Sequence, residues 1–148
     1  MSDVADKWGA DVAKRGFSQI PNYLLNLNQY VHEDEKLSPL ELLLLIQLVG
    51  SWWKKGEPPF PSMKLLALRC GSSERQVLRS INRLVEIGLI ERKKRRAKGI
   101  IASNVYDLTP LVELLEGTVA KIYPAENPRQ EYQKPAAPAG GDDPEGLM

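Results

Sequence analysis

Residues 61–89, PSMKLLALRCGSSERQVLRSINRLVEIGL, constrain this chain more than any other stretch. Ser62 stands where it can cap a short helix carrying Leu65, Leu66, Ala67 and Leu68, and Gly71 ends that helix. Ser73-Glu74-Arg75-Gln76 then has the form of a capping box and opens a second helix. That helix carries Val77, Leu78, Ile81, Leu84 and Val85 as its buried face and stops at Gly88, well placed for a left-handed cap. The stretch therefore reads as helix, tight glycine turn, helix.

The flanks extend the pattern. Upstream, Ser38-Pro39-Leu40-Glu41 is a capping box with proline at the first helical position, and its helix is expected to reach about residue 54, before Gly56. Leu42, Leu45, Ile46, Val49 and Trp53 make one stripe; Leu40, Leu43, Leu44, Leu48 and Trp52 carry it almost around the helix, which must be covered on more than one side. Downstream, residues 89–94 read as a strand, 95–99 as a basic turn and 100–108 as a returning strand. Thr109-Pro110 starts a last helix with Leu111, Val112, Leu114, Leu115, Val119 and Ile122. The expected organisation is an N-terminal segment packing on the domain (1–36), a mainly α domain with a small β-hairpin (37–123) and a tail (124–148). Val4, Trp8 and Val12, then Phe17, Ile20, Tyr23, Leu24 and Leu27, are the apolar groups of the first segment. The tail, rich in Pro, Ala, Gly and acidic residues, has too few core formers to offset its ordering entropy and is expected to be disordered.

At 148 residues the chain has the length of one domain able to bury a core without metal or disulfide. Its single cysteine excludes an internal disulfide, and the first twenty residues lack the apolar region of a secretory signal. The longest apolar run, 42–46, is too short to cross a bilayer. A soluble, cytoplasmic protein with no membrane partner is expected. The net charge of +1 conceals segregation. Residues 1–36 carry −2 and 124–148 carry −3, whereas 62–98 hold eleven basic residues against three acidic ones. Positive charge gathered on one segment is the footprint of a polyanionic partner.

The second helix shows how that charge is presented. At 100° per residue from Val77, the apolar set spans about −80° to +100°. Arg75, Arg79, Asn82, Arg83 and Glu86 fall on the opposite side, with Gln76 near its edge. Arg75, Arg79 and Arg83 thus form one ridge. Arginine can bond O6 and N7 of guanine, and glutamine N6 and N7 of adenine, so the ridge is suited to the major groove of double-stranded DNA. The amides at the start of the helix can hold a phosphate. A solvated amphipathic face with ordinary salt bridges is the competing account, and the capped two-helix setting disfavours it. Strand alternation separates Glu91, Lys93 and Arg95 from Arg92, Lys94 and Arg96, leaving Arg95, Arg96 and Lys98 at the turn as the expected backbone or minor-groove contacts. The expected DNA-binding set is Lys64, Ser73, Arg75, Gln76, Arg79, Ser80, Asn82, Arg83, Lys94, Arg95, Arg96 and Lys98.

Ala67, Gly71 and Val77 match the helix-turn-helix spacing of small residue, turn glycine and core aliphatic. The run 77–90, VLRSINRLVEIGLI, resembles the recognition helix and its entry into the wing of winged helix-turn-helix proteins. Phe17, Ile20-Pro21-Asn22, Leu24-Leu25, Leu37-Ser38, Phe60-Pro61-Ser62 and Leu66-Ala67 extend the resemblance to phage and plasmid replication initiators and related regulators, over about residues 17–108. Ser80 departs from the aliphatic residue many such proteins carry, with Leu78 and Ile81 expected to supply its packing. The resemblance implies a winged helix-turn-helix fold and origin or operator binding.

Catalysis is not expected. The chain has no Walker loop, no GxGxxG and no Cys or His pairing for a metal, so no cofactor is implied. His32 sits in a polar stretch, and Cys70 lies beside apolar neighbours as a core residue. The expected function is sequence-specific DNA binding in transcriptional regulation. Replication initiation is the alternative, with the acidic tail as a surface for a replication or transcription partner. A protein-interaction module on the same fold is the rival of another class, and the arginine ridge argues against it. Homodimerisation is expected from the apolar surplus of the 39–54 helix and the stripe on the last one.

Overall fold

The structure, a computed structural model, describes residues 3–97 and 99–123. Lys98 and the 124–148 tail, both subjects of the expectations above, lie outside the described residues. Short helices α1 (Asp3–Trp8) and α2 (Ala10–Lys14) pack on each other and leave Trp8 and Val12 exposed. The core begins further along, where Ile20 packs against it and Leu24 of α3 (Asn22–Leu25) and Leu27 are fully buried. Asn28 then pins the chain before the next helix: its Nδ2 donates to the Leu37 carbonyl at 2.9 Å and its Oδ1 accepts the Leu37 amide at 2.8 Å.

Helix α4 (Pro39–Gly50) starts as its sequence requires. Ser38 Oγ accepts from the Glu41 amide at 3.2 Å, and Glu41 Oε1 accepts from the Ser38 amide at 2.8 Å. It ends one turn before the expected residue 54, where the chain bends into a tight turn closed by a Lys54–Glu57 bridge. Trp53 therefore leaves the apolar stripe and is 76% exposed. Helix α5 (Met63–Cys70) is capped by Ser62, and α6 (Glu74–Glu86) by Ser73. The expected second capping box is only half formed: Gln76 gives its amide to Ser73 Oγ, but its side chain turns to Ser72. Gly71, at φ 65°, lets the Ser72 amide reach back to the Ala67 carbonyl, and Gly88, at φ 81°, does the same for Leu89 and Leu84.

Helices α4, α5 and α6 pack around Leu44, Leu45, Leu48, Leu66, Ala67, Val77, Ile81 and Leu84. Leu78, expected inside, stands at +100° on the edge of the apolar arc and is 44% exposed. Strands β1 (Glu91–Ala97) and β2 (Ile100–Asp107) form an antiparallel hairpin, with Glu91 opposite Asp107 and Lys94 opposite Asn104. Past Lys94 the register slips by one residue, so two residues of β2 face Arg95. Tyr106 donates its amide to the Pro59 carbonyl at 2.9 Å and buries its ring. Asp107 Oδ1 accepts the Thr109 amide at 2.9 Å, which holds its carboxyl below the usual range and leads the chain into α7 (Thr109–Ile122). Helix α7 returns to α3, where the Tyr23 and Tyr123 hydroxyls lie 3.0 Å apart. A three-helix core whose second and third helices meet at a glycine turn, followed by a hairpin beside the third, is a winged helix-turn-helix.

Glu41 is 7% exposed and contacts Arg83 of α6, which is itself partly buried. Removing one member of such a pair strands the other and also opens the capping box. Glu41→Ala should lower stability by about 2–4 kcal/mol, read as a shift of the urea midpoint without a change of slope.

Candidate nucleic-acid interface

The outward face of α6 is a row of polar groups set one turn apart, and its rotation is fixed by the aliphatic side chains on the opposite side. Arg75 and Arg79 are exposed and meet no acidic partner among the described residues. Gln76 and Asn82 are exposed beside them. Each amide is already engaged by the protein. Ser72 Oγ donates to Gln76 Oε1 at 2.7 Å, and Arg92 Nη1 of β1 donates to Asn82 Oδ1 at 2.7 Å. The Arg92 bond also couples the hairpin directly to the helix.

Two expected members of this face are elsewhere. Ser80 is 8% exposed, turned into the core beside Val77 and Ile81. Three steps of 100° from Val77 place it at −60°, inside the apolar arc, so the helical geometry already assigned it inward. Its hydroxyl has no hydrogen-bond partner among the described residues. Arg83 is drawn from the ridge to α4, where Nη1 bonds Glu41 Oε1 at 2.5 Å and Nη2 approaches the Asp34 carbonyl at 3.4 Å. Its position at −120°, nearest the apolar edge of the ridge, allows that reach. Arg83 thus spends part of its donor set on Glu41.

The hairpin also differs from the expected arrangement. Arg95 and Arg96 are strand residues of β1, because backbone pairing continues to Ala97. Arg95 is half-buried with its guanidinium 4.1 Å from the Phe60 ring centroid. Lys94 and Arg96 are exposed and share one face of the strand with Arg92, the residue that bonds α6. Lys93, on the other face, lies 3.9 Å from Asp107. Lys64 and Ser73, exposed near the starts of α5 and α6, complete the set. Arg92 and Glu41 escaped the reading of the sequence. The signal for Glu41 was a lone acid in a helix apolar almost all round; no sequence periodicity pairs Arg92 with Asn82. Cys70 packs against the core, and burial raises its thiol pKa, which suits a packing role.

Residues 35–90 match a family described as a helix-turn-helix domain, a stretch that runs from the lead-in to α4 to the end of the turn after α6. A domain of this kind suggests DNA binding. No curated protein matches the chain. Among solved structures, a protein with unknown function from Listeria innocua Clip11262 is similar, at 19% identity over 85% of this chain and 84% of that one, with a TM-score of 0.36.

The buried serine and the tied arginine separate structure from recognition. Ser80→Ala should leave DNA affinity unchanged and keep stability or raise it by up to about 1 kcal/mol, since an unsatisfied hydroxyl is removed. Arg83→Ala should act on the unfolding midpoint, whereas Arg79→Ala should cost about 1–3 kcal/mol of discrimination between target and random DNA. Parallel denaturation and anisotropy titrations read both.

Proposed function

We propose that this chain binds double-stranded DNA sequence-specifically, with α6 in the major groove and the hairpin against the adjoining backbone. The observation that carries this reading is Arg75 and Arg79, without an acidic partner among the described residues, beside the exposed Gln76 and Asn82 on one outward face. Lys94 and Arg96 extend the same charge onto the hairpin, and Lys64 and the Ser73 end of α6 offer phosphate contacts. No catalytic role belongs to the proposal. Transcriptional regulation is the proposed role, because occupying an operator needs only this interface, whereas initiating replication also needs a surface for further machinery. Recovery of bound genomic fragments distinguishes promoters from an origin.

Four to seven neutralised phosphates correspond to a log–log slope of affinity against salt of about −4 to −6 per protomer. Titrations across a salt series check this, and affinity independent of salt would remove the electrostatic basis of the reading.

Pairing of two copies is a second part of the proposal. A groove of about 850 Å³ lies between the 17–21 segment and the end of α4, lined by Phe17, Ile20, Val49, Trp52 and Trp53. A symmetric contact there would let two α6 helices meet half-sites about 34 Å apart. Sedimentation equilibrium should give a dimer that Trp53→Glu dissociates; a monomer mass for the unaltered protein would refute pairing.

A further inference from the structure

The hydrogen bonds within the α6 face decide which base edges it can read. A guanidinium has donors only, so the amide of Asn82 that meets Arg92 Nη1 must turn its oxygen toward that arginine. Its Nδ2, a pure donor, is then directed away from Arg92. Gln76 Oε1 accepts from the Ser72 hydroxyl, which unlike a guanidinium also accepts, so Asn82 is the amide whose orientation its partner fixes. Arg75 and Arg79 bring only donors. Glu86, an acceptor on the same side, is the last residue of α6, whereas helix-turn-helix proteins touch base edges with the N-terminal part of this helix. The presented face is therefore rich in donors, and each amide oxygen on it already accepts one bond from the protein.

Adenine is read by a bidentate amide whose oxygen accepts from N6 while its nitrogen donates to N7. With both amide oxygens engaged, that arrangement requires breaking or sharing a bond inside the protein. Guanine shows two acceptors, O6 and N7, and thymine shows O4. We infer that this face selects a guanine-rich strand of the major groove, and that Arg92, which need not touch a base, sets this preference by orienting Asn82. The inference rests on the DNA reading given above.

Selection of bound duplexes from a randomised pool, using the full chain, tests it. Consecutive guanines on one strand should be enriched, and 7-deazaguanine at an enriched position should weaken binding roughly tenfold or more. Arg92→Ala should admit adenine at one such position, while other positions keep their guanine. Asn82→Asp, which presents an acceptor, should shift that position toward cytosine, whose N4 is a donor. Enrichment of adenine by the unaltered protein would overturn the inference and leave specific DNA binding standing. A uniform loss across all sequences in the Arg92 variant would also overturn it, since a phosphate contact or a packing role gives that result. Failure to bind any duplex would remove the DNA reading itself.

Discussion

The contact between Glu41 and Arg83 ties α6 to α4 and, with the aliphatic face of α6, holds the rotation on which the proposed interface depends. A carboxylate in a helix that is apolar almost all round costs several kcal/mol unless it finds a partner. Glu41 finds two, because its Oε1 accepts both the Ser38 amide and the Arg83 guanidinium. The first bond starts α4 at Pro39, and the second ties α6 to it. With Arg83 held against α4, and Val77, Ile81 and Leu84 packed in the core, α6 has one rotational setting. In that setting Arg75, Arg79 and Asn82 are carried outward.

The arginines of this region look alike in sequence and act differently in place. Arg83 satisfies a buried acid, Arg92 orients an amide, Arg95 lies over an aromatic ring, and Arg75 and Arg79 are left to solvent. A planar fork of fixed donors with a delocalised charge can do each of these, and the neighbours decide which. Arg75 and Arg79, like Arg96, engage no acceptor among the described residues.

What could be read from the sequence was local. Ser38, Ser62, Ser73, Gly71 and Gly88 punctuate the helices through bonds spanning a few residues, so their positions in the chain were enough. Ala67 and Val77 followed from spacing. The errors arose where two distant segments meet. Arg83 belonged to the polar arc by angle, but Glu41, forty-two positions away, draws it inward. Leu78 sat at the edge of an arc whose width depends on which neighbours arrive. Trp53 fitted a stripe that lasted only as long as the helix, and Arg95 and Arg96 seemed turn residues because charge resembles a loop when the pairing strand is unseen. The Arg92–Asn82 bond crosses from strand to helix, and no periodicity within either reports it.

Arg95 lies over Phe60, and the neighbouring Pro59 carbonyl holds the Tyr106 amide. These two links fasten the hairpin to the segment that leads into α5. A cation over an exposed ring contributes about 0.5–1 kcal/mol, and the backbone bond adds a comparable amount. The hairpin thus has contacts on both sides, with α6 through Arg92 and with the 59–60 segment through Arg95. These contacts hold Arg92, Arg95 and Tyr106 of the hairpin within the protein's own structure, which lowers the ordering entropy those residues would lose on contact. Association with a polyanion would then be governed by orientation and long-range attraction, and its rate would fall as ionic strength rises.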